Sequence, residues 1–135
     1  MIVTGTTDLG RAATRTRGVV RWCCLARRGM LHSECEAVDY LELSPQATVT
    51  MDGRAGTEEA WYVLEGHAEF DDPTTARVER IDAGRLALRP AGTSLIVRNT
   101  SPDTPLRLLL VSVLPRAVTD GLPGRSPVAD PELRP

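Results

Sequence analysis

Acid–base and metal chemistry have few residues to draw on in this chain. Of its 135 residues two are histidines, His32 and His67, and three are cysteines. Divalent transition metals need imidazole, thiolate or carboxylate lone pairs around most of the coordination shell. His32 lies in MLHSECE with Glu34, Cys35 and Glu36, which are ligand types at a spacing that matches no established site. His67 follows Gly66 and reads as the surface end of a hairpin. Cys23 and Cys24 are neighbours, so on a strand they point to opposite faces and cannot line one site. They read as small buried hydrophobes in a reducing compartment. Every cation is an arginine, which rules out a lysine Schiff base to a substrate or to pyridoxal phosphate. What remains is a carboxylate, Glu59, in TEEAWYVLEG (57–66), and a run of fixed spacings in GRLALRPAGTSLIVRN (84–99).

The elements that must position these residues read as short β-strands separated by Gly, Pro, Asp and Ser clusters. GVVRWCCLAR (18–27) and AVDYLEL (37–43) are strands, the second with Leu41 and Leu43 on one face and Tyr40 and Glu42 on the other. ATVTM, AWYVLEG, HAEF, ARVERI, RLALR and SLIVRN follow, with a loop expected at Asp71, Asp72 and Pro73. LRLLLVSVL (106–114) is nearly continuously apolar, as a central strand buried on both sides would be. Residues 7–16 are the one stretch that could form a short helix, capped by Thr7 or Asp8. From Pro115 onward the chain is rich in Pro and Gly and lacks periodicity.

The length fits one domain with a real core. A net charge of −2 without a basic cluster disfavours nucleic acid. No apolar run reaches the ~18 residues that span a bilayer, and the N-terminal residues lack the apolar centre of a secretory signal. The expectation is a cytoplasmic protein.

Gly84, Pro90, Gly92 and Asn99 stand at three fixed spacings, and Glu59 precedes Gly66 by seven. On these residues the chain resembles the cupin superfamily, whose second motif places a histidine where this chain has Leu95. The family's first motif places a His-x-His pair where Gly53 and Ala55 stand, and it begins with a glycine where Ala47 stands. The resemblance implies an all-β, cupin-type antiparallel β-barrel, a jelly-roll-like double-stranded β-helix, in a single domain. The barrel would cover residues 18–115, between an N-terminal segment (1–17) and a Pro/Gly-rich tail (116–135). It also implies a homodimer. Tyr62 and Leu64, outward on a strand, are the residues such an interface would cover. Three of the family's four metal ligands are replaced, so no metal and no cofactor are expected. Asp52 fits the first histidine position only if the gap is one residue longer, with the cation Arg54 as companion. The alternative is a metal held through His32, Cys35 or His67.

Strand alternation then names a pocket. Met51 and Val49 share a face with Gly53 and Ala55, Glu59 with Trp61 and Val63, and Leu95 with Val97. Tyr40 could add a phenolic proton, although its strand face is not fixed by this reading. The expected result is an apolar cavity, enlarged by two lost imidazoles, suited to a flat or hydrophobic small molecule. A carboxyl in such a barrel suits a general acid or base near neutrality. Its alternative is a vestige turned toward Arg89, Arg98 or solvent. Glu58 should face outward. Trp61 is a stacking platform or simply core. Three functions compete: a metal-independent isomerase, cyclase or dehydratase of specialised metabolism using Glu59; a non-catalytic small-molecule binder or carrier; and an interaction protein whose cavity has closed.

Overall fold

The computed structural model describes residues 1–7, 9–11, 16–30, 35–52, 57–89 and 94–121. Gly53, Ala55, Arg54, His32, Glu34, the Pro90-Ala91-Gly92 turn and the tail beyond residue 121 lie outside them.

Alternating β-branched and polar residues produce eleven strands among the described residues: β1 (Gly10–Arg11), β2 (Thr16–Arg17), β3 (Val20–Arg27), β4 (Cys35–Leu43), β5 (Thr48–Met51), β6 (Glu59–Glu65), β7 (His67–Asp72), β8 (Arg77–Asp82), β9 (Leu86–Arg89), β10 (Leu95–Asn99) and β11 (Leu106–Val113). They form two sheets, one of six strands in the order β1-β3-β4-β11-β6-β9 and one of five in the order β2-β5-β10-β7-β8. Every recorded pairing is antiparallel. The inner faces meet in one core, where Leu41, Leu43, Trp61, Val63, Leu95, Val97, Leu106 and Leu108 are almost wholly buried. Trp61 and Phe70 pack across it with ring centroids 5.7 Å apart at a tilt of 59°.

Two turns show why particular residues are needed. Gly66 has φ 85°, and a Cβ there would stand 2.6 Å from the Pro105 carbonyl oxygen, so only glycine fits between β6 and β7. Asn99 ends β10 fully buried. Its Nδ2 lies 3.1, 3.1 and 2.8 Å from the carbonyls of Leu43, Ser44 and Thr104, and its Oδ1 accepts from the Ser101 N–H at 3.1 Å. One side chain thus ties two segments, 43–44 and 101–104, to the end of the barrel.

Four expectations change. Residues 10–11 and 16–17 are strand rather than helix, because each pair finds a sheet edge, β3 and β5, to bond. β7 runs through Asp71 and Asp72, because Arg98 on the neighbouring β10 pairs with Asp71 at 2.9 Å and satisfies its charge. β11 is central but not buried on both sides: Leu106, Leu108 and Leu110 are buried, whereas the outward Leu109 and Val111 are half-buried. The three cysteines form no disulfide and are half-buried rather than buried. Beyond β11 a four-residue helix, α1 (Arg116–Thr119), opens the segment whose sequence lacks periodicity.

Candidate functional site

Glu59 opens β6, two residues before Trp61, so both side chains face the interior. The register pairs Glu59 with Arg89, the last residue of β9. Arg89 Nη1 donates to Glu59 Oε2 at 2.9 Å, and Trp61 Nε1 donates to the same oxygen at 2.9 Å. Arg89 Nη2 donates to the Ser94 carbonyl at 3.1 Å. Both side chains of the ion pair are only 9% exposed. Both recorded bonds fall on Oε2, and Oε1 takes none from the described residues. The carboxylate is therefore the acceptor at the centre of a buried polar cluster, not an isolated acid in an apolar wall. Arg98, the other arginine considered for it, lies across the second sheet and pairs with Glu69 and Asp71.

Three hollows surround this pair. A cleft of about 480 Å³ lies in the seam between β8 and β9, lined by Phe70, Ile81, Ala87, Leu95 and Arg89 among others. A second, of about 310 Å³, is lined by Glu58, Glu59, Ala60, Leu88, Arg89, Val111 and Val113. A smaller, more enclosed pocket of about 80 Å³ lies toward β4, among Asp39, Met51, Asp52, Thr57, Glu59 and Ser112. Arg89 borders the first two and Glu59 the last two, so the ion pair is their common wall.

The expected pocket residues divide accordingly. Glu59, Met51 and Leu95 line hollows. Trp61, Val63 and Val97 are 0% exposed and line none of them. The indole of Trp61 is fully buried and packs on Phe70 between the sheets, so the hollows lined by described residues lie beside it; the positions of the two lost imidazoles lie outside the described residues. Tyr40 is corrected. It pairs with Cys23 and Leu109 on the outer face, and its Oη donates to Glu42. Burial, then the Glu42 carboxylate, raises its phenol above the ordinary value. Gly53 and Ala55 lie outside the described residues. Glu58 is exposed, and His67, half exposed, sits 2.7 Å from Asp82, which it holds below the usual carboxylate range.

Three polar residues of the small pocket, Asp39, Thr57 and Ser112, went unnamed from the sequence. Asp39 shares the inward face of β4 with Leu41 and Leu43, so counting two back from Leu41 identifies it. It stands opposite Cys24 in register. Burial, with the Asp39 carboxylate next, pushes the Cys24 thiol up. Thr57 precedes β6 in a loop and carries no sequence signal.

The donor set does not fit the family's metal. The histidine position of the second motif is an apolar, buried Leu95, the two in the first motif are Gly and Ala, and Glu59 Oε2 already bonds a guanidinium. Among the described residues no three His, Cys, Asp or Glu side chains group to hold a metal.

The architecture is that of known structures. The chain is similar to a predicted oxalate decarboxylase from Thermotoga maritima, at 24% identity and TM-score 0.73, over 84% of this chain and 99% of that one. It is similar to a cupin 2 conserved barrel domain protein from Salinispora arenicola, at 16% identity and TM-score 0.68, over 89% and 93%. It is also similar to the polyketide cyclase RemF from Streptomyces resistomycificus, at 23% identity and TM-score 0.61, over 84% and 79%. No family model and no curated protein match the chain. The chain has the cupin fold: two antiparallel sheets closed on one core. None of the helices among the described residues is long and apolar enough to cross a membrane.

Proposed function

We propose that this chain is a metal-independent cupin enzyme of isomerase, cyclase or dehydratase type acting on a hydrophobic carbonyl compound of specialised metabolism. The observation that carries the reading is the Glu59–Arg89 pair, buried yet bordering all three hollows. Apolar walls hold the body of a substrate and a few placed polar groups orient it. The Arg89 guanidinium would donate to the substrate carbonyl oxygen, stabilising the enolate that forms there. Glu59 Oε1 would take the proton from the adjacent carbon and return it elsewhere on the enolate, or to a departing hydroxide. Either outcome is redox-neutral. The likeness to a polyketide cyclase supports the substrate class. A cytoplasmic homodimer completes the proposal.

A second reading, non-catalytic binding, is favoured by one observation: the Glu59 carboxylate already accepts from Arg89 and Trp61. Deuterium exchange at the carbons flanking the carbonyl of 2-tetralone, followed by NMR in deuterated buffer, separates the two. The enzyme reading expects protein-dependent exchange that Glu59→Gln abolishes. Exchange that survives Glu59→Gln, or saturable binding without exchange, overturns it. Native mass spectrometry of the untagged protein, purified without chelator, reports retained ligand, metal and subunit count together.

A further inference from the structure

The cleft in the seam between β8 and β9 is lined by charge as well as apolar surface. Five charged residues border it: Asp72, Arg77, Glu79, Arg85 and Arg89. Four of them have partners. Arg77 pairs with Glu79, Arg89 with Glu59, and Asp72 accepts from the Thr74 N–H at 2.9 Å. The exposed Arg85 guanidinium takes part in no hydrogen bond or ion pair among the described residues. Its main chain is nonetheless fixed, the N–H on the Asp82 carbonyl at 3.2 Å and the carbonyl under the Val63 N–H at 3.1 Å. Strand alternation turns the side chain toward the cleft. Ala87 stands opposite the buried Trp61 and faces inward, and Arg85 and Arg89, two residues to either side, share that face. Asp82, three residues before Arg85, is outward of the buried Ile81 and already held by His67 and Arg80. Asp72 lies at the far end, opposite Arg77 in the β7–β8 ladder. The turn end of the cleft therefore holds one positive charge that the chain does not match.

We propose that the seam cleft takes an apolar ligand with a carboxylate at one end, held by Arg85, and its carbonyl at the other, at Arg89. A guanidinium meets a carboxylate through two parallel N–H bonds, and a single unmatched charge suits a monoanion. Between the two arginines the floor is the small Ala87, with Phe70, Ile81 and Leu95 as apolar wall. Four strand residues rise about 13 Å, most of which two fused rings with a polar group at each end would cover. The proposal rests on the enzyme reading above and narrows its hydrophobic carbonyl compounds to oxo acids whose two polar groups stand at opposite ends. Arg85 is thereby a specificity-determining residue that sets which end of the ligand reaches Arg89.

The test pairs 6-carboxy-2-tetralone with 2-tetralone, which differ by a carboxylate at the end remote from the ketone, in calorimetric titrations. The wild type should prefer the acid by about fivefold at low ionic strength, the worth of a well-made pair at an exposed arginine. The preference should shrink as salt rises. Arg85→Gln should bring it to about one, and Arg85→Lys, which keeps the charge but not the fork, should retain about twofold. Arg77→Gln should leave it in place, because Arg77 stands at the opposite end and is taken by Glu79. Without ligand, Arg85→Gln should melt within about 2 °C of the wild type, since the side chain bonds nothing in the fold. A preference that survives Arg85→Gln, or that Arg77→Gln removes, overturns the assignment to Arg85. A variant at Arg85 that fails to fold also overturns it, by giving the side chain to the fold. Equal binding of the two probes overturns the anion end while sparing the carbonyl reading, and binding of neither overturns both.

Discussion

The buried pair can be tested without a substrate. Arg89→Met removes the guanidinium but keeps an unbranched chain of similar reach. Arg89 bonds Glu59 at 2.9 Å and the Ser94 carbonyl at 3.1 Å, from a side chain 9% exposed. Removing one partner of a buried pair leaves an uncompensated charge, at a cost of 3–5 kcal/mol. Here Glu59 keeps the Trp61 N–H and borders two hollows that water can reach, which places the loss near the lower end, about 3 kcal/mol. In a chain of this size that corresponds to a melting temperature lower by about 10 °C. Glu59→Gln strands the guanidinium instead and should cost about 2 kcal/mol. The double variant removes both charges and should cost about 3 kcal/mol rather than about 5, a coupling of about 2 kcal/mol. Urea unfolding of the four proteins measures all three differences. Single variants that cost under about 1 kcal/mol and simply add would show that solvent screens the pair, and the reasoning from its burial would be wrong.

Asn99→Ala should cost about 3 kcal/mol, since three carbonyls and one N–H lose their partner in a buried site, and urea unfolding reads it directly. Gly66→Ala should be the more damaging of two glycine substitutions, by about 2 kcal/mol, because Gly84 shares the left-handed φ at 86° but has open space where a Cβ would go. Equal melting temperatures would contradict it. Cys23, Cys24, Cys35 and Tyr40 all carry acid groups raised chiefly by burial. The unfolded chain therefore releases these protons first, so stability is full below the ordinary thiol value of 9.0 and declines as pH climbs through the folded values. A urea midpoint that is flat from about pH 8 to about pH 11 refutes this. Light scattering should find a dimer, and Leu88→Glu should yield a monomer, because Leu88 is 74% exposed on an outer face shared with Leu86 and Tyr62.

Much of the barrel was legible because its strands carry their faces in plain alternation. Leu41 and Leu43 against Tyr40 and Glu42 gave β4 its orientation, and the same count excludes Tyr40 from the interior and admits Asp39. Asn99 and Gly84 were legible through their fixed spacing, and the structure gives each a backbone task that few other residues meet. The site was less so. That Glu59 would meet Arg89 stood as one of several alternatives, since register across a sheet depends on turn geometry that spacing alone does not supply. The burial of Trp61 depends on its packing against Phe70, a contact between two sheets. Thr57 was invisible because threonine in a loop is ordinary, and only burial without a partner sets it apart.

The seam between the sheets has a mechanical consequence. β8 and β9 are each the last strand of their own sheet, so no ladder joins them. At one end the seam is pinned: the Gly84 and Val63 N–H groups bond Val63 and Arg85 carbonyls at 2.8 and 3.1 Å, and the Ala83 N–H bonds the Gly66 carbonyl. At the other end stand Arg77 and Arg89, the first residue of β8 and the last of β9. The pair of strands is therefore built as a wedge with its fulcrum at the turn. Splaying it admits a guest by parting side chains alone, with every main-chain bond of both sheets kept, and the width of the opening grows with distance from Gly84. A slab-shaped guest sliding in edge-first meets the least resistance, and its leading edge arrives at Arg89.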